Sequence, residues 1–483
     1  MKKTKILSQI LTIFEEISSV PRGSGNEAGI ISWLQKRAED NGFKCQTDEV
    51  GNVLIKVPAS KGKEKSPTII FQCHMDMVCE KTPDSKHDFL KDPIKLVYDE
   101  DILKAETTSL GADNGIGMAL AFAAAEDPVI PHPPLELLFT VDEERGLTGA
   151  KALKPGFLKG TKLVNLDSED EGVFTIGCAG GIDTHISLPL YYEEVPQNFT
   201  SYKIATGGMT GGHSGCNIHN ERANAIRVLC RTLHLISGAI PFRMAYISGG
   251  TAHNAIPRSS ETVIYLPEDK ISELKKIVEN CNETFSAEFK PTDPNLSITC
   301  APFSGFPDRR AMNEYYSLKT VDLVLALPHG VAARSVEMPE LVETSNNLAV
   351  VSVVNGCLEI TTSQRSSVPS RLVGITSKIE AVARLAGANF KSGTGYPPWK
   401  PNFDSEFLAM AKAIFKKQFK KDAKVEVIHA GLECGLIGSI DPKMEMISLG
   451  PTIRNPHSPD EYLEVSSVEK VWKFIIALLK EIK

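Results

Sequence analysis

Two histidines and a series of carboxylates draw attention because each stands where a strand-like run gives out or a helix begins. TIIFQCHMDMV places His74 and Asp76 two apart at the end of an apolar run. Residues spaced by two share one face of a strand, so Asp76 can hold one ring nitrogen of His74 and leave the other for a metal. LGADNGIGMA puts Asp113 in a glycine-rich turn opening a helix, LELLFTVDEERG ends a strand in Asp142, Glu143 and Glu144, and TKLVNLDSED ends another in Asp167. Far downstream, ISLGPTIRNPHSPDE offers His457 in a proline-bounded loop. Each cluster has an ordinary reading by itself: a satisfied core histidine, a helix cap at Asp113–Asn114, a solvated acidic turn. Adjacent carboxylates repel, however, and a cation relieves that repulsion. Chance is a poor account of the whole set. The glycine turn has neither the dinucleotide-binding spacing nor the Lys-Ser/Thr of a phosphate-binding loop, which sets a nucleotide aside.

The elements that must position these residues follow from periodicity. The N-terminal stretch and residues 27–42 have helical spacing, and strands are expected around 52–57, 68–73, 136–141 and 162–166, with helices at 115–125 and 149–153. This alternation is that of an α/β layer, in which ligands bind beyond the carboxyl ends of the strands. From about Gly181 the texture becomes α+β: runs such as IDTHISLPL, MAYISGG, ETVIYL and CLEITTS alternate with helices at 224–235, 270–285 and 375–386. A weak echo links Asn254-Ala-Ile-Pro-Arg258 with Ser366-Ser-Val-Pro-Ser-Arg371, about 110 residues later, each leading into a new strand. Two similar halves would explain it. GTGYPPWKP at 393–401 is a turn-rich boundary, after which α/β texture resumes. The expected organisation is a first catalytic part at 1–186, an inserted module at 187–398 and a second catalytic part at 399–483.

Composition narrows the function classes. At 483 residues the chain is about three times a typical ~150-residue domain, so two or three domains are expected. With 53 basic and 60 acidic residues the net charge is −7, which gives no footing for nucleic acid. No apolar run approaches the ~20 residues of a membrane span, and Glu15 and Glu16 interrupt the only signal-like segment. Ten dispersed cysteines without a C-x-x-C pair point to a reduced, cytoplasmic compartment.

H-x-D, G-A-D-N-G, D-E-E, a strand-terminal Asp and a late His, in this order, resemble the co-catalytic dizinc peptidases of the carboxypeptidase G and aminoacylase type. Within that family the chain is similar to the aminoacyl-histidine (Xaa-His) dipeptidases of the peptidase D type. The motifs SSVPRGSGNE, FQCHMDMVCEK, GADNGIGMA, TVDEERGLTGA, GGHSG, GTGYPPW and HAGLECG carry the likeness over essentially the whole length. The resemblance implies a mixed-sheet α/β catalytic domain with an inserted α+β lid domain. It implies two divalent metal ions, zinc first with manganese or cobalt as alternatives, bridged by Asp113. His74 and Asp167 would complete one site, and Glu144 and His457 the other. Asp76 would orient His74, and Glu143 would be the general base. Three ligand carboxylates give −3 against +4, leaving a charge that a bridging hydroxide would balance. In GGMTGGHSGCNIH the glycines permit close approach to a substrate, and His213 resembles the family's lid histidine. Asn254 and Arg365, each expected in a loop after a strand, resemble positions that hold the dipeptide's terminal carboxylate.

The activity so implied is metal-dependent hydrolysis of Xaa-His and other small dipeptides with a free C-terminus, with no nucleic-acid or membrane partner and a homodimer as an option. An N-acyl amino acid deacylase or carboxypeptidase on the same scaffold is the alternative, since specificity resides in the lid. A non-catalytic peptide- or metal-binding protein is a further one, against which the presence of Glu143 argues.

Overall fold

The computed structural model describes residues 5–306 and 308–483. They form two compact units, the first comprising residues up to Cys178 with Trp399–Val427 and Leu432–Lys483, the second Ala179–Pro398 with Ile428–Gly431.

The first unit is built on an eight-stranded sheet in the order Lys44–Thr47, Val53–Val57, Leu135–Thr140, Ile69–His74, Lys162–Asn165, Glu445–Ser448, Val173–Cys178 and Lys424–Ile428. Four neighbours in its centre, from Leu135–Thr140 to Glu445–Ser448, run parallel. Every residue of Ile69–His74 and Leu135–Thr140 is buried, which explains why these runs are mostly apolar rather than alternating. Their carboxyl ends lie along one edge, and the sheet is mixed because the flanking strands Val53–Val57 and Val173–Cys178 pair antiparallel. The helix Lys5–Ser18 buries Leu7, Ile10, Leu11, Phe14 and Ile17 at helical spacing. Ala112–Glu126 is rich in Ala and Gly and almost wholly buried, so small side chains admit it close to the sheet. Phe122 stacks on Phe139 at 5.3 Å. The returning C-terminal segment is anchored where Phe174 meets Phe415 and Phe474 at 5.6 and 5.0 Å. Leu96–Asp99 and Ile102–Ala105, which the sequence reading passed over, join Tyr462–Glu464 and Ile453–Arg454 in a small four-stranded sheet.

The second unit is a long antiparallel sheet whose two halves repeat one topology. In the first half the chain runs Phe199–Gly207, helix Ala225–Ser237, Arg243–Gly249, Ser260–Pro267, helix Ile271–Glu288 and Ser297–Pro302. In the second it runs Gly180–Pro189, helix Glu314–Ala326, Val342–Val354, Cys357–Ser366, helix Pro369–Leu385 and Asn389–Ser392. Both are β-α-β-β-α-β with spatial strand order 4-1-3-2, joined where Arg243–Gly249 pairs with Val342–Val354 at Gly249 and Val351. The first half is inserted after the first strand of the second. The expected texture change at about Gly181 coincides with the start of Gly180–Pro189, whereas the expected boundary at 186/187 falls inside that strand, which pairs along its length with Cys357–Ser366.

The sequence echo is not what repeats. Asn254–Arg258 lies between the second and third strands of the first half, whereas Ser366–Arg371 follows the third strand of the second half and enters a helix, not a strand, with Pro369 at its first turn. No helix among the described residues is long and apolar enough to cross a membrane.

Candidate active site

The site in the first unit begins where the central strands end. His74 closes its strand fully buried, with Nδ1 facing Asp76 Oδ1 at 3.3 Å. Asp76 does more than orient the ring. Ser24 Oγ donates to its Oδ2 at 2.7 Å, and the backbone N–H groups of Glu143 and Glu144 donate to its two oxygens at 3.0 and 3.3 Å. The end of the neighbouring strand is thereby pinned to His74. Burial works against ionisation of Asp76, but the hydrogen bonds from His74, Ser24 and Glu143 outweigh it and hold its pKa at about 2. Asp142, the first of the three successive acids, turns away: it adopts φ 51° and takes Arg145 Nε and Thr148 Oγ1 at 2.6 and 2.5 Å.

Asp113 sits in the first turn of Ala112–Glu126. That turn is held by Glu461, whose buried carboxylate accepts the N–H groups of Leu110, Gly111, Ala112 and Asp113 at 2.7, 2.9, 2.8 and 3.3 Å. An anion at a helix N-terminus satisfies donors that the helix itself leaves open. From the other side buried Arg22 donates to the carbonyls of Met75, Asp76 and Gly111. His457 stands in the hairpin between Ile453–Arg454 and Tyr462–Glu464, so one short loop delivers both His457 and Glu461.

The result is two groups sharing one carboxylate. Asp113 Oδ1 is 2.9 Å from His74 Nε2, which is also 3.2 Å from Asp167 Oδ1. Asp113 Oδ2 is 3.2 Å from His457 Nε2, which is 3.1 Å from Glu144 Oε2. Asn114 Nδ2 donates to Asp167. Ligand atoms of His74, Asp113 and Glu144 all lie within 4.8 Å of one another, and Glu144 Oε1 is buried without a hydrogen-bond partner. Imidazole nitrogens and carboxylate oxygens form a donor set that suits zinc, manganese and cobalt, and an unpartnered buried carboxylate oxygen is what a cation would satisfy. The residues fit two divalent ions.

Charge in the cluster tells the same story. Burial opposes a charge on His74, yet the surrounding Asp167, Asp113 and Asp76 raise its pKa well above the imidazole range. Hydrogen bonds to Asp113 and Glu144 push half-exposed His457 up to about 11. Burial alone would raise Asp113, but the two imidazoles hold it well below the carboxylate range. Burial lifts Asp167 to about 6 and Glu143 well above an ordinary glutamate.

His213, Asn254 and Arg365 belong to the second unit. His213 pairs with Ala255 across a short two-strand ladder, and Ser214 N donates to the Asn254 carbonyl at 2.8 Å, which brings the two motifs together. His213 Nδ1 accepts the N–H groups of Gly215 and Cys216 at 3.3 and 3.1 Å, so the proton of the neutral ring sits on Nε2. Arg365 lies within the strand Cys357–Ser366 and not in a loop beyond it; the strand simply runs longer than its apolar part. Its buried guanidinium donates to Tyr396 Oη at 2.9 Å and lies 3.5 Å from Ser214 Oγ, and its Nε has no partner. His429 is buried beside Ser345 Oγ at 2.7 Å, and burial with nearby Arg365 drops its pKa to about 3, so it is neutral.

Residues 70–481 match the family model described as Peptidase family M20/M25/M40. The chain belongs to this peptidase family. It is 38% identical over 470 residues to the cytosol non-specific dipeptidase of Escherichia coli (strain K12), covering 97% of this chain and 96% of that protein. It is similar to the crystal structure of aminoacylhistidine dipeptidase from Vibrio alginolyticus, with TM-score 0.87, 35% identity, and 99% and 98% of the two chains covered. Aminopeptidase PepT from Bacillus cereus ATCC 10987 shares the fold, with TM-score 0.58 at 17% identity over 99% and 98% of the chains.

In this M20 chain the residues that sequence reasoning passed over are the supports Arg22, Ser24, Glu433 and Glu461, while Asn114, read from sequence as part of a helix cap, instead supports Asp167. Arg22 and Ser24 stand inside SSVPRGSGNE, Glu433 in HAGLECG and Glu461 in HSPDE, where nothing local distinguishes them from turn or helix-end residues.

A proton and a metal ion are alternative ways of neutralising these carboxylates. Since both imidazoles are shifted toward the protonated form, cation uptake must displace protons. Zinc or manganese affinity, measured by calorimetric titration of the stripped protein, should rise with pH by roughly tenfold or more per unit between about pH 6 and 8. A pH-independent affinity would mean that His74 and His457 are not ligands.

Proposed function

We propose that this chain is a metal-dependent dipeptidase of the cytoplasm, hydrolysing small dipeptides with a free C-terminus, those ending in His among them. The observation that carries the reading is the sharing of Asp113 between two imidazole–carboxylate groups. The names of its E. coli and V. alginolyticus relatives support the substrate class and, for the former, the compartment. His74, Asp113 and Asp167 would hold one ion and Asp113, Glu144 and His457 the other, with zinc as the first choice and manganese or cobalt as alternatives. Bound there, two cations would supply Lewis acidity toward the scissile carbonyl and make water a nucleophile near neutral pH.

The protein's own residues do the rest. Glu143 takes the proton of the attacking water and returns it to the leaving amine. Its raised pKa suits a base that must also act as an acid. Glu144 is left to coordinate, and Asp76 keeps the two apart in role by holding both of their N–H groups. His213 Nε2–H is the donor for the developing oxyanion. Arg365, buried with an unpartnered Nε, binds the terminal carboxylate together with Asn254.

Glu143→Gln should retain both ions and lose on the order of 10²–10⁴-fold in kcat, whereas Glu144→Gln should lose metal occupancy first. Metal analysis and kinetics on the same preparations check this, and identical behaviour of the two variants would refute the division of labour.

Arg365 separates a dipeptidase from a looser amidase. Wild type and Arg365→Ala should be compared on a dipeptide and on its C-terminal amide. Truncating one partner of a buried charge pair costs roughly 2–5 kcal/mol, so the acid substrate should lose about 30-fold or more in kcat/KM and the acid–amide gap should narrow. An acid-to-amide ratio unchanged by the substitution would show that Arg365 does not read the carboxylate.

A further inference from the structure

One step back along the strands from the ligand-bearing ends lies a buried polar layer that the mechanism does not use. Gln72 precedes His74 by two residues, and Asn165 precedes Asp167 by two, so each shares a strand face with the position that leads to a ligand. Asn165 Nδ2 donates to Gln72 Oε1 at 2.6 Å, and Ser448 Oγ donates to Asn165 Oδ1. The chain of hydrogen bonds ends on Glu433, whose Oε2 accepts Gln72 Nε2 at 2.5 Å and Thr140 Oγ1 at 2.6 Å. Glu433 is 0% exposed, and its Oε1 is buried with no hydrogen-bond partner.

A glutamine would accept both donors with its carbonyl oxygen and spare the burial of a charge, so hydrogen bonding alone does not call for a carboxylate here. What calls for one is nearby positive charge.

Resting on the dinuclear reading above, we infer that Glu433 is a buried counter-charge for the cation held by His74, Asp113 and Asp167. It hydrogen-bonds Gln72 and Thr140 one step behind the ligand-bearing strand ends and does not touch metal or substrate. Burial lifts its pKa to about 7; the Thr140 hydrogen bond and the charge of His74 lower it while Asp167 and Asp76 raise it, so added positive charge at the site favours its ionised form.

The test compares wild type and Glu433→Gln as full-length, metal-stripped chains near neutral pH, titrated calorimetrically with Zn²⁺ and melted without metal. Loss of an outer partner costs roughly 10–100-fold in metal affinity, and that loss is expected for Glu433→Gln, while the melting temperature of the stripped variant is expected to equal or exceed that of wild type. A merely structural residue gives the opposite pattern, a lower melting temperature with unchanged affinity, and that pattern overturns the inference. If Glu433→Gln does not fold, Thr140→Val carries the test: it removes a donor from the carboxylate and should weaken Zn²⁺ binding, and unchanged binding overturns the inference. Failure of the wild-type chain to take up two ions would instead overturn the dinuclear reading.

Discussion

The constraint on which the first unit depends is the crowding of negative charge at one edge of its sheet. Asp76, Asp113, Glu144, Asp167, Glu433 and Glu461 are brought together with Arg22 as a buried strong cation. Unit charges a few ångströms apart in a poorly screened interior interact by several kcal/mol, so each carboxylate needs its own answer. For Asp76 the answer is two backbone N–H groups, a serine and an imidazole, and for Glu461 it is four N–H groups at the start of a helix. Asp113, Glu144 and Asp167 are answered only by imidazoles and the Asn114 amide, and these are the three carboxylates best placed for cations.

The same economy explains how neighbouring glutamates can do different work. Three acids in a row after a strand would ordinarily point in alternating directions and compete for one counter-ion. The left-handed turn at Asp142 sends its carboxylate to Arg145 and Thr148, and Asp76 fastens the next two residues by their backbones. The backbones of Glu143 and Glu144 are thus both tied to Asp76, and the Glu144 carboxylate is turned to His457.

Much of this arrangement could be read from the sequence because the candidate ligands lie near the ends of strands whose apolar runs are unmistakable. His74, Glu144 and Asp167 follow such runs directly, and Asp113 opens a helix with a strong small-residue pattern. The supports were illegible for a physical reason: Glu461 meets Leu110 across 351 residues and Glu433 meets Gln72 across 361, so their meaning exists only after folding. The helix Glu314–Ala326 escaped because Ser317 and Thr320 occupy its buried face, Ser317 Oγ accepting Met244 N, which breaks the apolar stripe. The Ser366–Arg371 segment misled because its proline opens a helix where a strand was expected. The true repeat of the second unit lies in strand order, which a short proline–arginine echo does not report.

The central claim is that Asp113 joins two cation sites. It is tested most directly by a crystal structure of the zinc-loaded protein with anomalous data collected at the zinc edge. Two peaks flanking the Asp113 carboxylate are expected, one also in contact with His74 and Asp167, the other with Glu144 and His457. A single peak, or two peaks of which one makes no contact with Asp113, would contradict that claim.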